Sequence, residues 1–389
     1  MKKILDFPDG FFWGSATASF QVEGGIDNTD WSQAGRDGKV PPADAGPDHY
    51  NRFESDFDLV KDLGHNCHRF SIEWARIEPK EGEFSEEAVE HYKKVFSALK
   101  QRKITPFVTL WHFTLPLWLS EKGGVANKNF PKYFANYCQF VVKNFKEECV
   151  HWATINEPNV VTSNGWVRGV WPPFKKANFI EIFFVLRQLK KAHIEAYKAI
   201  KSVDLIAEVG IVKDNMYLHA SKNPFWIIVS KIFRWWWNFY FLNSIKHYVD
   251  SIGLNYYFHY HFGERRTLRD KSDMGWEIYP EGIYYTLMEL TRYEKPIFVA
   301  EAGIADEKDQ FRAQYIKDLI YWTHKAIQDG ADIKGFIYWS LMDNFEWALG
   351  YDKRFGLIEI DYDTKERKIR PSAYEYKKIC QSNSFEINI

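Results

Sequence analysis

The most constraining feature of this sequence is an alternation of short apolar runs with longer amphipathic segments. The apolar runs predict eight strands, at Phe11–Ala16, His68–Ile72, Thr105–Trp111, His151–Asn156, Ala207–Val212, Ser251–Tyr256, Pro296–Ala300 and Ile333–Ser340. The amphipathic segments predict helices around Asp48–Leu63, Ser85–Arg102, Pro131–Glu148, Phe179–Ser202, Glu281–Tyr293, Gln310–Asp329 and Pro371–Cys380. Strands that alternate with helices indicate an α/β protein with a parallel sheet. Eight such units favour a closed (β/α)8 TIM barrel over an open doubly wound sheet.

Chain length and composition fit one such barrel. The 389 residues suffice for a barrel with loop insertions, and the sequence has no Ser/Gly/Pro-rich linker, low-complexity tract or obvious repeat. We therefore expect one domain over residues 1–389. The net charge of -1 gives no reason to expect a nucleic acid or an anionic membrane as a partner. No GxGxxG motif follows the first predicted strand, which removes the usual dinucleotide signature, and no cofactor is expected.

The cysteines and the N-terminus favour a reducing compartment. Because the four cysteines show no CxxC spacing and no paired framework, we expect buried free thiols at Cys67, Cys138, Cys149 and Cys380. The first residues, MKKILDFPDGFFWG, include two lysines but no apolar stretch like that of a secretory signal. A cytoplasmic protein is the expectation.

Two glutamates directly follow predicted buried strands, Glu157 after HWATIN and Glu301 after PIFVA. The C-terminal ends of the strands are where catalytic side chains collect in a parallel barrel. Cleavage of a glycosidic bond needs two carboxyl groups at one sugar carbon: one protonates the departing oxygen, and the other attacks the carbon or activates water. A charged residue at a strand end is common, so the two glutamates alone leave glycosidase and structural interpretations equally open.

Other polar and aromatic residues also cluster at the predicted strand ends. Amides, a histidine and a carboxylate can hydrogen-bond sugar hydroxyls, and a tryptophan face can take the apolar side of a sugar ring. The residues at these positions are Gln21, Glu23, Arg69, His112, Asn156, Asn255, Tyr257, Trp339, Glu346 and Trp347.

Seven motifs in order give the chain a family resemblance: FFWGSATASFQVEG, RFSIEWARI, TLWHFTLP, TINEP, GLNYY, VAEAG and WSLMDNFEWALGYDKRFGL. With these motifs the chain resembles glycoside hydrolase family one, the retaining β-glucosidases and β-galactosidases of the (β/α)8 type. The likeness runs over about residues 11–376, nearly the whole chain, and the chain looks like a shortened member of the family.

The resemblance implies an exo-acting retaining β-glycosidase. Glu157 would be the general acid/base and Glu301 the nucleophile of a double displacement with a covalent glycosyl-enzyme intermediate, in which transglycosylation can compete with hydrolysis. The substrate would be a small β-glycoside or oligosaccharide with a terminal β-D-glucosyl, galactosyl or fucosyl residue. The residues implied to support the nucleophile are Arg69, Asn255 and Tyr257. Those implied to bind the substrate are Gln21, His112, Asn156, Trp276, Trp339, Glu346 and Trp347.

Physical chemistry supports these roles independently. Glu301 must be ionised to attack, and a neighbouring cation, Arg69, with a phenol donor, Tyr257, would stabilise its charged form. Glu157 must carry a proton near neutral pH, which requires burial and a nearby like charge. A neutral, hydrogen-bonding His112 is favoured over a metal ligand. Because the other histidines, such as His259 and His261, form no cluster with acidic partners in the sequence, no metal is expected.

Three departures from the family pattern bear on specificity. Ala302 stands where the nucleophile motif usually has asparagine, and Phe113 stands where a tryptophan usually follows the pocket histidine. Both could shift the sugar preference or the rate, and neither removes a catalytic carboxylate. The segment between Val212 and Ser251 is also trimmed, so we expect a more open aglycone side.

Two competing interpretations stay open. A 6-phospho-β-glycosidase of the same family would carry a serine, lysine and tyrosine set after the eighth strand. This chain instead has Glu346 and Trp347, and a carboxylate repels a phosphate dianion. A non-catalytic sugar-binding protein on the same fold is the second alternative, and the presence of both glutamates argues against it.

The stretch PFWIIVSKIFRWWWNFYFL, residues 224–242, is almost continuously apolar. Because Lys231, Arg234 and Asn238 interrupt it, a membrane span is not expected. A buried helix beside the barrel, a self-association face and an aromatic wall of the cleft are the alternatives. As a helix, the stretch presents apolar residues around most of its circumference, more than one barrel face can bury. We therefore expect a second subunit, a hydrophobic aglycone or lipid to cover part of it.

Overall fold

The computed structural model describes residues 2–264 and 269–388 and contains a closed barrel of eight parallel strands. The barrel strands follow one another around the barrel in chain order. Their bounds are β1 Phe12–Ala16, β2 Cys67–Ser71, β3 Thr105–Trp111, β4 His151–Asn156, β5 Glu208–Asp214, β6 Ser251–Tyr256, β7 Ile297–Ala302 and β8 Ile333–Trp339. The predicted (β/α)8 barrel is confirmed, and the C-terminal ends of all eight strands open on one side.

A principal helix follows each barrel strand. These helices are α1 His49–Asp62, α2 Glu86–Gln101, α3 Phe130–Phe145, α4 Phe179–Val203, α5 over residues 224–245, α6 Gly282–Leu290, α7 Arg312–Gln328 and α8 Pro371–Ser382. Helix α2 shows why the sequence folds this way. The Ser85 side chain accepts a hydrogen bond from Ala88 N, and a stripe that includes Val89, Tyr92 and Phe96 is buried against the barrel.

Aromatic side chains close the lower part of the barrel interior. The Phe107 ring lies 5.1 Å from the rings of both Phe12 and Phe298 and stacks on His151 at 4.2 Å. This layer leaves the upper end of the barrel, where the strands end, as the place for a ligand. The four cysteines are buried free thiols, as expected: Cys67, Cys138, Cys149 and Cys380.

Most predicted bounds agree with the structure to within one or two residues, and two differences matter for the site. Strand β5 ends at Asp214 rather than at Val212, because Lys213 and Asp214 continue the ladder with β6 despite their charge. Strand β7 begins at Ile297 and runs through Glu301 to Ala302, so Glu301 lies inside the strand rather than after it. Three small sheets were not predicted: Lys2–Asp6 with Ser384–Asn388, Tyr217–Ala220 with His259–Phe262, and Ile358–Ile360 with Arg367–Ile369.

Helix α5 consists of Pro224–Arg234, a π-helical turn at Trp235–Phe239 and a last segment at Tyr240–Ile245. Its two ends are buried differently. Phe239, Phe241 and Leu242 are buried, whereas Phe225 and Trp235 are exposed. The helix is therefore not wholly buried. Among the residues that the structure describes, no helix is both long and apolar enough to cross a membrane.

Candidate active site

Glu157 and Glu301 both lie at the open end of the barrel. Glu157 directly follows β4 in a left-handed backbone conformation (φ 46°), and its backbone N–H donates to the Val212 carbonyl on β5 at 2.9 Å. Glu301, on β7, is paired in register with Asn255 on the neighbouring strand β6. Both glutamate side chains are buried, at 8% and 3% exposure, so each carboxyl group meets protein rather than bulk water.

Glu301 is held between a cation and a phenol. The Arg69 guanidinium forms a short ion pair with Glu301 Oε1, and Tyr257 donates from its hydroxyl to Glu301 Oε2 at 2.6 Å. Burial, followed by the negative charge of Glu301, raises the pKa of Tyr257 well above its usual range, so its hydroxyl keeps its proton and stays a donor. Two donors on a buried carboxyl group stabilise the ionised form that a nucleophile requires.

Arg69 also connects the glutamate to the neighbouring strands. Its Nε donates to Thr109 Oγ1 at 3.1 Å, and its Nη2 donates to Asn156 Oδ1 at 2.9 Å. Asn156 Oδ1 lies 3.3 Å from Asn255 Nδ2, and Asn156 Nδ2 lies 3.4 Å from His112 Nε2. A planar guanidinium with several fixed acceptors can hold the side chain of Glu301 in one orientation.

Glu157 is in the opposite electrostatic environment. Its partner is an amide, since Asn255 Nδ2 donates to Glu157 Oε1 at 2.6 Å. Burial raises the pKa of Glu157 well above its usual range, and the negative charges of Asp214 and Glu301 raise it further. One carboxyl group that meets a cation and a phenol, and a second that meets an amide and negative charges, form the contrast that nucleophile and acid chemistry requires.

Asp214, at the end of β5, belongs to this site although the sequence reasoning missed it. It is buried, is aligned with Asn255 on β6, and follows Lys213, whose Nζ donates to the Asp214 carbonyl oxygen at 2.7 Å. Burial raises the pKa of Asp214 to about 6 and lowers that of Lys213 to about 8. The sequence did contain a signal for this residue. Lys213 and Asp214 are two charged residues directly after the apolar run that ends at Val212, and charged residues at such a position indicate a polar site at the strand end.

Gln21 and His112 also have buried polar atoms without partners among the described residues. Gln21 Nε2 donates to Asn344 Oδ1 at 2.9 Å and to the Phe345 carbonyl at 2.7 Å. Gln21 Oε1 and His112 Nδ1 are buried and have no partner within residues 2–264 and 269–388. Buried polar atoms without partners are costly, so both are poised to bind the polar groups of a ligand. Asn344, which orients Gln21, is a second residue that the sequence reasoning did not single out.

His112 is held neutral in an aromatic setting. Burial, and then the positive charge of Arg69, lower the pKa of His112 well below its usual range. Its ring stacks with the rings of Trp339 and Trp347, with centroids 5.8 and 6.0 Å away. Phe113 lies 5.0 Å from Trp347 and supports it from the side. A neutral imidazole between indoles can hydrogen-bond a hydroxyl without adding charge.

Glu346 and Trp276 complete the predicted set. Glu346 is partly buried, and burial together with the negative charge of Glu301 raises its pKa to about 8. In the described part of the chain, no side chain hydrogen-bonds its carboxyl group. Trp276 is partly exposed beside Tyr257, with ring centroids 6.0 Å apart, and packs on Phe258 at 4.9 Å.

One expectation was wrong. Glu23 is turned away from the cleft, because Arg76 binds its Oε2 at 2.7 Å and the Tyr92 hydroxyl donates to its Oε1 at 2.8 Å. His259 pairs with one acidic residue that the sequence did not indicate, since its Nε2 lies 2.7 Å from Glu277 Oε2. Within the described ranges, no group of three or more His, Cys, Asp or Glu side chains is arranged to hold a metal ion.

Comparisons with known proteins show the family of this chain. The family described as Glycosyl hydrolase family 1 matches residues 4–241 and 235–385. Beta-glucosidase A of Thermotoga maritima is 34% identical over 446 aligned positions, which cover 98% of this chain and 99% of the relative. The alignment is longer than this chain of 389 residues, which shows that the chain lacks segments present in the relative.

Solved structures give the same result. A beta-glycosidase from Pyrococcus horikoshii superposes with a TM-score of 0.92 at 35% identity, covering 98% of this chain and 96% of that one. A beta-glucosidase from Thermotoga maritima in complex with deoxynojirimycin superposes with a TM-score of 0.89 at 32% identity, covering 97% and 99%. The chain therefore belongs to glycosyl hydrolase family 1 and is a β-glucosidase-like glycoside hydrolase.

Proposed function

We propose that this enzyme removes one terminal β-D-glucosyl, β-D-galactosyl or β-D-fucosyl residue from small glycosides and oligosaccharides, with retention of configuration. One observation carries the proposal. Glu301 accepts from a cation and a phenol, whereas Glu157 accepts from an amide and lies near the negative charge of Asp214. This difference makes Glu301 the nucleophile and Glu157 the acid.

The reaction follows as a double displacement. Glu301 attacks the anomeric carbon while the Glu157 proton passes to the departing oxygen, which forms an α-linked glycosyl ester and frees the aglycone. Glu157, now ionised, takes a proton from water, and that water attacks the anomeric carbon and releases Glu301. Two inversions restore the β configuration. A sugar hydroxyl in place of water would give transglycosylation by the same steps.

The remaining predicted residues would hold the sugar. Asn156, whose Oδ1 accepts from Arg69 and lies 3.3 Å from Asn255 Nδ2, would meet the 2-hydroxyl, where a hydrogen bond strengthens toward the oxocarbenium-like transition state. Trp276 would face the leaving group at the mouth of the cleft. The free polar atoms and indole faces for the rest of the ring come from Gln21, His112, Trp339, Glu346 and Trp347.

An unphosphorylated sugar suits this pocket better than a 6-phosphosugar. The pKa of Glu346 is raised to about 8 in part by the negative charge of Glu301, so the potential at Glu346 is already negative. A phosphate dianion placed there would meet that potential and would favour a protonated Glu346 even more. A neutral hydroxyl pair can hydrogen-bond either form of the carboxyl group.

Activity on a panel of nitrophenyl β-glycosides, with and without a 6-phosphate, tests the substrate class. We expect turnover of the unphosphorylated glucoside, galactoside or fucoside, and the ranking within the panel identifies the sugar. Proton NMR of the first-formed product tests the stereochemistry, and we expect the β-anomer. A first-formed α-anomer would mean inversion, and binding of glucosides without turnover would mean a sugar-binding protein.

A further inference from the structure

The first part of α5 has its apolar face turned outward. Of the eleven described residues Pro224–Arg234, with the sequence PFWIIVSKIFR, only Ser230 is buried. The side chains of Phe225, Ile228 and Ile232 are 61%, 58% and 62% exposed. A helix on a barrel normally buries its apolar stripe, whereas this helix leaves several large apolar side chains in water.

The start of α4 has the same property. Phe179, Ile180, Phe183 and Phe184 are 61%, 88%, 59% and 44% exposed. Both helices follow the C-terminal end of a barrel strand, so both start near the catalytic mouth. We define the apolar surface as the exposed side chains of these two segments: Phe179, Ile180, Phe183, Phe184, Phe225, Ile228, Ile232 and Trp235.

Direct contacts connect the two helices. Lys190 of α4 lies over the Tyr240 ring of α5, with its Nζ 3.4 Å from the centroid. Tyr240 in turn packs on Trp235, with ring centroids 5.6 Å apart. The two helices are therefore neighbours on one side of the barrel. Each exposes several large apolar side chains, which a monomer rarely leaves in water in such number.

Basic residues outnumber acidic residues around this surface. Residues 221–246 contain four basic residues, Lys222, Lys231, Arg234 and Lys246, and no aspartate or glutamate, although Arg234 pairs with Glu289 of α6 at 2.6 Å. Residues 175–192 contain five basic residues and one acidic residue, Glu181, which pairs with Lys175. The net charge of -1 for the whole chain conceals this local excess.

We propose that the apolar surface of α4 and α5 docks on an anionic lipid bilayer. Exposed Phe, Ile and Trp side chains would enter the boundary between head groups and acyl chains, and the lysines and arginines would meet the lipid phosphates. The helices would lie in the interface without crossing it. The mouth of the barrel would then be held beside the bilayer.

A second copy of this chain fits the surface less well. In a two-fold symmetric dimer the same surface meets itself, so each basic rim would face an equally basic rim. Like charges brought together in this way repel, whereas anionic head groups complement them. The observations therefore favour lipid, and self-association becomes an outcome of the test.

Flotation of the enzyme with lipid vesicles tests the proposal. We expect binding to vesicles that contain phosphatidylglycerol, weaker binding to pure phosphatidylcholine, and a loss of binding in high salt. Phe225→Ser/Ile232→Ser should weaken partitioning onto the anionic vesicles by about tenfold or more, because it removes two apolar side chains that would be buried in the bilayer. Leu205→Ser/Ile206→Ser is the matched control, since these side chains are 84% and 74% exposed outside the surface.

Folding and charge are controlled separately. Each variant should keep the wild-type melting temperature and the wild-type turnover of a water-soluble nitrophenyl glycoside. Lys222→Glu/Lys231→Glu, which changes exposed side chains only, should also weaken binding to the anionic vesicles. Failure of the wild type to float, or equal losses in the test and control variants, would overturn the proposal. So would a dimer in sedimentation velocity that Phe225→Ser/Ile232→Ser dissociates.

Discussion

Asp214 is aligned with Asn255 on neighbouring barrel strands, and Asn255 Nδ2 donates to Glu157 Oε1 at 2.6 Å. Aligned residues on adjacent strands point to the same face of a sheet, so Asp214 and the amide that holds Glu157 share one side of the barrel wall. The negative charge of Asp214 is, after burial, the largest cause of the raised pKa of Glu157. The negative charges of Asp214, on β5, and of Glu301 therefore both raise the pKa of the proposed acid, Glu157.

Asp214→Asn should shift the basic limb of the pH profile of kcat/KM to lower pH. The acid must be protonated, so activity falls as pH rises through the pKa of Glu157. Removing the neighbouring negative charge lowers that pKa, because the ionised form of Glu157 then meets less repulsion. Asp332→Asn is the control, since Asp332 pairs with Lys334 at the opposite end of the barrel. An unchanged profile in Asp214→Asn would refute this role for Asp214.

Glu301→Gly should abolish turnover of nitrophenyl β-glycosides, because it removes the group that attacks the anomeric carbon. Azide or formate can enter the space and attack in its place, so either should restore part of the activity and give an α-linked product. Product NMR identifies the linkage. If azide instead gave a β-linked product, Glu301 would not be the nucleophile.

Glu157→Gln should reduce activity by an amount that depends on the leaving group. A poor leaving group needs the proton from Glu157, whereas an activated nitrophenolate needs little protonation. The loss in kcat/KM should therefore be larger for alkyl glycosides than for dinitrophenyl glycosides. Equal losses on both would contradict the assignment of Glu157 as the acid.

Tyr257→Phe isolates the phenol that contacts Glu301. The change removes one hydrogen bond of 2.6 Å to a charged carboxyl group and leaves the ring in place. A bond of this kind contributes about 1.5–3 kcal/mol, so we expect kcat/KM to fall by roughly 10- to 150-fold. Steady-state kinetics on a nitrophenyl glycoside measures the loss. Tyr260→Phe provides a comparison, because Tyr260 is 52% exposed. A similar loss in both variants would mean that the effect does not come from Glu301.

The barrel and the position of its two glutamates could be predicted because the C-terminal ends of parallel strands meet at one end of a barrel. Glu157 and Glu301 are 144 positions apart in the sequence, yet the alternation of strand and helix already implied that they meet. The orientation of a side chain at a strand end is a different matter. Glu23 lies close to Gln21 in sequence but turns to Arg76, and only the packed structure could show this.

The outward face of α5 could not be predicted for a physical reason. The buried face of a helix is predicted from the side on which its apolar residues line up. Residues 224–242 are apolar around most of the helix, so the sequence does not indicate which side is buried. The sequence also predicted the end of strand β5 too early, at Val212 instead of Asp214. Lys213 and Asp214 are charged, and a buried strand is normally recognised by its apolar residues.

Glu346 provides the test of substrate charge. Since its pKa is raised to about 8, the carboxyl group is largely protonated at neutral pH in the free enzyme and can both donate to and accept from sugar hydroxyls. Glu346→Gln keeps this capacity and should retain much of the activity on unphosphorylated glycosides. Glu346→Ser is too short to reach and should lower kcat/KM by roughly 2- to 10-fold, the effect of losing a hydrogen bond of about 0.5–1.5 kcal/mol to a neutral group.

The measurement is kcat/KM of the wild type, Glu346→Gln and Glu346→Ser on a nitrophenyl β-glucoside and on its 6-phosphate. Near and above pH 8, where Glu346 ionises, its charge would repel a phosphate dianion, and neither variant can ionise there. At such pH the 6-phosphate should therefore lose less than the glucoside in both variants. A wild type that prefers the 6-phosphate would contradict the proposed substrate class. If Glu346→Ser had the same kcat/KM as the wild type on the glucoside, Glu346 would not be a sugar-binding residue. Its carboxyl group would then make no contact that matters for turnover.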